Sequence, residues 1–221
     1  MLPHFIALIL TFSAIAITLE VMVDEKIIEK TKILDTDKIL GNKDADLTLI
    51  EYSSLTCIDC ADFHTNEFVT LKNEFIDTGK IKYIYRHFPL NAMDIHLAYI
   101  AESIPNENYY DFIMDIYNNQ DKIGSLTNTK SSKEKAEKTA REMTEKYVSN
   151  EEMDNILEET TENKAILNRI FTEKFVFEKK YDIKKTPTFY LINSGSLNLK
   201  LEADEVIDKL RTLNEDNIIV K

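Results

Sequence analysis

Cys57-Ile58-Asp59-Cys60 contains the only two cysteines in 221 residues. Two sulfurs three residues apart on a first helical turn come within bonding distance, so one disulfide can open and close locally. The first cysteine falls near a helix N-terminus, where free N–H groups and the macrodipole favour a thiolate. The second lies deeper in the turn and can attack a mixed disulfide formed at the first. This gives Cys57 the nucleophile role and Cys60 the resolving role. Two other uses of the pair compete. A structural zinc site needs four ligands, and with no second cysteine pair His64, His87 and His96 would have to converge on this one. An inert structural disulfide is compatible with the spacing, but so short a loop restrains little of the unfolded chain. Redox chemistry accounts for the pair best, with no metal and no cofactor.

The elements that must hold this pair are legible on both sides of it. Leu47-Thr48-Leu49-Ile50-Glu51-Tyr52 is short, β-branched and aromatic, and reads as a strand. From Cys57 to about Ile76, Phe63, Phe68, Leu71 and Phe75 recur at helical spacing, and Gly79 supplies a left-handed stop. Ile81 to His87 is a second strand, ended by Pro89. A strand, a helix and a strand with a short return form a βαβ unit with a parallel pair.

Residues 92 to about 181 read as helices throughout. Ser131 with Glu134 and Ser149 with Glu152 match the capping box. Ala136, Ala140, Met143 and Tyr147 form one apolar stripe, and Ile166, Ile170 and Phe177 another. Pro187 to Ile192 is a strand led by proline, 193–195 turns it, and Leu197 to Leu201 returns antiparallel. Ala203 to Leu213 ends as a helix with Val206, Ile207 and Leu210 on one face. The order βαβ, helices, ββα predicts an α/β protein: a small mixed sheet interrupted by an all-helical insertion.

Composition narrows the class of partner. Lys and Arg total 27 against 39 Asp and Glu, a net charge of −12. That is the wrong sign for a nucleic-acid surface or for docking on anionic lipid. The run from Phe5 to Leu19 carries no charge and spans roughly 22 Å as a helix, short of a bilayer core. With Ala14-Ile15-Ala16 as a small-x-small cleavage site it fits a secretory signal peptide, although the n-region has no Lys or Arg. An uncleaved anchor extended by Val21-Met22-Val23 is the other reading. The expected organisation is a signal peptide or anchor over 1–19, a lead-in arm over 20–39, a core over 40–90 and 182–221, and the helical insertion over 91–181.

Gly41 to Ala45, Leu49-Ile-Glu-Tyr-Ser53, Thr56-Cys-Ile-Asp-Cys60, Phe63-His64, Thr78-Gly-Lys80, Tyr85-Arg86-His87-Phe88-Pro89-Leu90 and Thr186-Pro187-Thr188-Phe189 follow one another in that order. Together they resemble the DsbA family of thiol:disulfide oxidoreductases, with a thioredoxin-like core and a helical insertion, over roughly Leu40 to Leu213. The resemblance implies a cis peptide bond before Pro187 that faces the disulfide. The backbone of Thr186 then forms an edge for an extended substrate. It also implies that Glu51, six residues before Cys57 and on a face with Leu47 and Leu49, is a buried acid relaying a proton to or from Cys60; an exposed strand carboxylate is the alternative. His64 matches a common family residue and reads as structural.

One position departs from the family pattern. Strongly oxidising members carry histidine immediately before the second cysteine, where this chain has Asp59, with Ile58 beside it. A carboxylate there is expected to disfavour the Cys57 thiolate and make the protein less oxidising than the DsbA extreme of about −120 mV. The implied activity is the introduction of disulfides into reduced, unfolded exported proteins in the periplasm, by a monomer reoxidised by a DsbB-like membrane quinone reductase. An isomerase or reductase of the same fold, or a non-catalytic binding module on this scaffold, is the competing class.

Overall fold

The computed structural model describes residues 33–127, 138–139, 141–158 and 160–215. Its centre is strand β2 (Leu47–Ser53), all seven residues of which are buried. A strand covered on both faces needs an apolar run rather than strict alternation, and Leu-Thr-Leu-Ile-Glu-Tyr-Ser meets that except at Thr48, Glu51 and Ser53. β2 pairs in parallel with β3 (Ile81–His87), Leu47 opposite Ile81 and Ser53 opposite His87. On its other side it pairs antiparallel with β4 (Thr188–Ile192), Glu51 opposite Phe189. β5 (Asn198–Leu201) continues antiparallel from β4.

The fifth strand is absent from the sequence expectation. β1 (Ile39–Gly41) runs antiparallel along the outer edge of β3, so the sheet order is β1-β3-β2-β4-β5. Its first residue belongs to the stretch read as a lead-in arm, and three half-exposed residues carry no periodicity to detect. Gly41 has φ +93°, and a Cβ there would meet the Ile81 carbonyl oxygen at 2.8 Å. Just before β1, Asp37 accepts from Arg86 Nε at 3.0 Å and Nη2 at 2.7 Å, pinning the chain to β3.

The expected helix over 57–76 is broken. It consists of α1 (Ile58–Thr65), α2 (Glu67–Leu71) and a π-helical turn over Lys72–Ile76. At the break, Asn66 Nδ2 donates to the Asp62 carbonyl and Thr65 Oγ1 to the Ala61 carbonyl, at 3.1 and 2.8 Å. Side chains that bond back to carbonyls in this way bend helices. Gly79 then stops the segment at φ +73°.

Between β3 and β4 lie α3 (Ala92–Ser103), α4 (Tyr109–Asn118), α5 (Gln120–Thr127), α6 (Asn150–Leu157) and α7 (Thr161–Lys180). The Ser149–Glu152 capping box is formed at the start of α6. The box at Ser131, with Ala136 and Ala140, lies outside the described residues, as does the 1–19 segment. Ile170 and Phe177 of α7 are buried and Ile166 is half-buried. The C-terminal helix α8 (Val206–Glu215) buries Val206, Leu210 and Leu213. All five strands and these helices belong to the compact unit 36–221. Among the described residues no helix is long and apolar enough to cross a membrane.

Candidate active site

The turn from β2 into α1 is clamped by the first turn of α3. Asp94 Oδ2 accepts from Ser54 Oγ at 2.5 Å and from the Leu90 N–H at 2.8 Å, while Oδ1 accepts from the Leu55 N–H at 2.9 Å. Asn91 caps α3 and also donates to Thr56 Oγ1 at 2.8 Å. Cys57 follows in extended conformation (φ −88°, ψ 127°) as the N-cap of α1, where its sulfur accepts the Cys60 N–H at 3.4 Å.

Both cysteines are free; Cys57 is half-buried and Cys60 fully buried. Across from them the Thr186–Pro187 bond is cis, and the Thr186 carbonyl oxygen lies 3.4 Å from Cys57 Sγ. The structure therefore brings Cys57, Cys60, Thr186 and Pro187 to one place. A cavity of about 490 Å³ opens beside them, between Phe63 and Pro187, with Asp59, Asp62, Glu67 and Asp204 on its lining.

The two thiols differ sharply. Cys57 is lowered to about 6, chiefly because the Cys60 thiol donates a hydrogen bond to its sulfur, against an opposing contribution from partial burial. Cys60 is pushed far up, first by its own burial, then by its bond to Cys57 and by the Cys57 and Glu51 charges. The reduced pair thus holds one proton, on Cys60. Asp59 contributes its backbone N–H, which favours the Cys57 thiolate. Ile58 is 78 % exposed beside the sulfurs.

Glu51 is fully buried. It accepts from the Tyr83 hydroxyl in a short hydrogen bond, and His64 Nε2 sits 3.0 and 3.1 Å from its two oxygens. The His64 ring is stacked between Tyr117 (centroids 4.3 Å apart) and Phe68 (4.7 Å). A second strand of polar contacts runs from Ser53 Oγ to the Tyr117 hydroxyl at 3.0 Å and on to the Tyr85 hydroxyl at 2.8 Å.

Of the histidines weighed as zinc ligands, His64 is bonded to Glu51 and His87 to the Tyr109 hydroxyl at 3.1 Å. Among the described residues, no three His, Cys, Asp or Glu side chains gather into a metal-holding group. Tyr83, Tyr117 and Asp94 are absent from the sequence expectation, in which His64 reads as structural. For Tyr83 a signal existed, since a buried strand acid needs donors and β3 alternates Tyr83 and Tyr85 beside β2. Tyr117 and Asp94 come from the insertion and carry no local sign.

A free cysteine pair at a helix N-terminus, facing a cis-prolyl edge over a five-stranded mixed sheet, defines a thioredoxin-like fold of the DsbA type. A family model described as Thioredoxin matches residues 34–207, and the chain belongs to that family. It is similar to the crystal structure of Wolbachia pipientis alpha-DsbA1, with a TM-score of 0.73 and 27% identity, covering 86% of this chain and 97% of that one. It is 36% identical over 97 residues to a putative protein-disulfide oxidoreductase of Rickettsia bellii, covering 44% of this chain and 38% of that protein. It is 31% identical over 91 residues to a probable disulfide bond formation protein D of Bacillus cereus, covering 39% and 42%. The matched stretch spans less than half the length of either curated relative.

Proposed function

We propose that this protein is an exported thiol:disulfide oxidoreductase that introduces disulfides into folding proteins through Cys57 and Cys60. A substrate thiolate attacks the Cys57–Cys60 disulfide at Cys57 and releases the Cys60 sulfur as thiolate, which takes up a proton relayed by Glu51. The substrate's second thiolate then attacks the mixed disulfide. It leaves as a disulfide, and both electrons stay on the cysteine pair. A DsbB-like membrane partner removes those electrons to quinone. Residues 1–19 act as the export signal, placing a monomer in the periplasm.

The observation that carries this reading is the division of roles between the sulfurs. Cys57, half-buried and lowered to about 6, is a good leaving group 3.4 Å from the Thr186 edge, while Cys60 is sealed and held as thiol. A value near 6 lies between that of DsbA, about 3.5, and that of thioredoxin, about 7. That supports weaker oxidation than the DsbA extreme, and with it the second reading, an isomerase or reductase.

The test is a Cys60→Ser variant expressed with its leader. Covalent adducts through Cys57 with exported, cysteine-containing proteins are expected; a variant that captures none leaves a binding module as the better account. Residues 1–40 fused to alkaline phosphatase should give activity outside the cytoplasm, and an inactive fusion rules out export.

A further inference from the structure

Glu51, His64 and Tyr83 form a closed set. His64 is 1% exposed and Glu51 fully buried, and their contact is direct, at 3.0 and 3.1 Å. Tyr83 donates to Oε2, which leaves the carboxylate an acceptor toward His64, whose Nε2 must then carry the proton. Nδ1 is buried with no hydrogen-bond partner among the described residues. An N–H on Nδ1 would be a stranded donor, so the hydrogen belongs on Nε2, where it has the Glu51 oxygens. Stacking on Tyr117 and Phe68 fixes the ring plane and aims Nε2 at both oxygens.

We propose that His64 is a positioning residue for the resolving step: its Nε2, against both oxygens of Glu51, holds that carboxyl in the orientation in which it takes up the Cys60 proton. This rests on the redox reading above. In that step the Cys60 S–H bond breaks and its proton passes to the Glu51 carboxylate. The Cys60 thiolate attacks the Cys57 sulfur, the Cys57–Cys60 bond forms, and the outgoing thiol departs as thiolate with the electron pair of the broken bond.

The groups facing this set leave Glu51 as the acceptor. From β3 come Tyr83 and Tyr85, and from α4 Tyr110 and Tyr117; burial, chiefly, and the nearby Glu51 charge hold these phenols well above their ordinary range. They therefore stay neutral near pH 7. From α1 and α2, Phe63 and Phe68 touch the His64 ring and exchange nothing. A buried carboxyl needs partners for its oxygens, and Tyr83 and His64 supply them.

The experiment follows release of glutathione from full-length protein carrying a Cys57–glutathione disulfide, between pH 5 and 9. Loss of a general base costs on the order of a hundredfold or more, and loss of the residue that orients it about tenfold. Glu51→Gln is expected to slow release strongly at pH 7, His64→Leu about tenfold with recovery toward pH 9, and His64→Gln, which keeps an amide donor, less than twofold. In the Glu51→Gln background His64→Leu should add nothing. Tyr83→Phe, which removes the other donor with little change of volume, should shift the pH profile in the same direction and keeps the test open if His64→Leu does not fold. Release from His64→Leu at the native rate overturns the proposal, and so does a further slowing in the Glu51→Gln background. If the unmodified protein does not release glutathione through Cys60 at all, the redox reading itself falls, and this proposal with it.

Discussion

Reduced protein should alkylate at Cys57 with a midpoint near pH 6, since that thiol is lowered to about 6. At pH 7 about nine-tenths of Cys57 would then be thiolate, against about 3% of an ordinary thiol near 8.5. The largest cause is a single hydrogen bond from the Cys60 thiol, so Cys60→Ala is the informative perturbation. A hydrogen bond to a charged group contributes about 1.5–3 kcal/mol, and Cys57 is only half-buried, so solvent screening discounts this toward the low end. The midpoint should therefore rise by about one pH unit. At pH 6 the thiolate fraction falls from about half to about a tenth, and alkylation by iodoacetamide slows about fivefold. The assay is the initial rate of single-site alkylation across pH 4–9, read by mass. A native midpoint near 8.5, or one that Cys60→Ala leaves unmoved, refutes the claim that the inner thiol stabilises the outer thiolate.

Because the folded Cys57 value is depressed, its contribution to stability is fully present above the unfolded thiol range and is lost as pH falls through about 6. The melting temperature of the reduced protein should thus rise relative to the oxidised protein between pH 5 and 8; a gap that is flat or moves the other way contradicts the assignment. Asp94→Ala strands the Leu55 N–H and the Ser54 hydroxyl in a buried site and frees the Leu90 N–H at its edge, and should cost about 3 kcal/mol in urea unfolding; a loss under about 1 kcal/mol would show the clamp to be dispensable. Gly41→Ala forces a Cβ onto the Ile81 carbonyl at φ +93° and should lower stability by more than about 1 kcal/mol, a result checked by thermal melting.

The parts legible in the sequence are those whose signal is local. β2, β3 and β4 announce themselves by short β-branched runs, and the observed Leu47–Ser53 and Ile81–His87 lie within a residue of the expected spans. The Ser149–Glu152 box needs only four residues to be recognised. β1 was invisible because its partner, β3, is some forty residues away in the chain and three residues show no period. The break at Asn66 was invisible for a different reason: the apolar spacing of Phe63, Phe68, Leu71 and Phe75 suits one helix, and only the competing side-chain bonds of Thr65 and Asn66 interrupt it.

Composition, spacing and order suffice to specify a cysteine pair at a strand–helix junction, a proline-led strand downstream and a carboxyl on the strand before it. Each of these is a short-range pattern, set by covalent neighbours and by φ/ψ preference. What the Cys57 thiol becomes, and what stands around Glu51, depended on side chains brought in from β3, α1 and α4. His64 and Tyr83 act on Glu51 only because register and ring stacking place them there, and the Asp59 backbone N–H reaches Cys57 only because the helix turn aims it. Electrostatics and hydrogen bonding depend on distance through space, which folding alone sets.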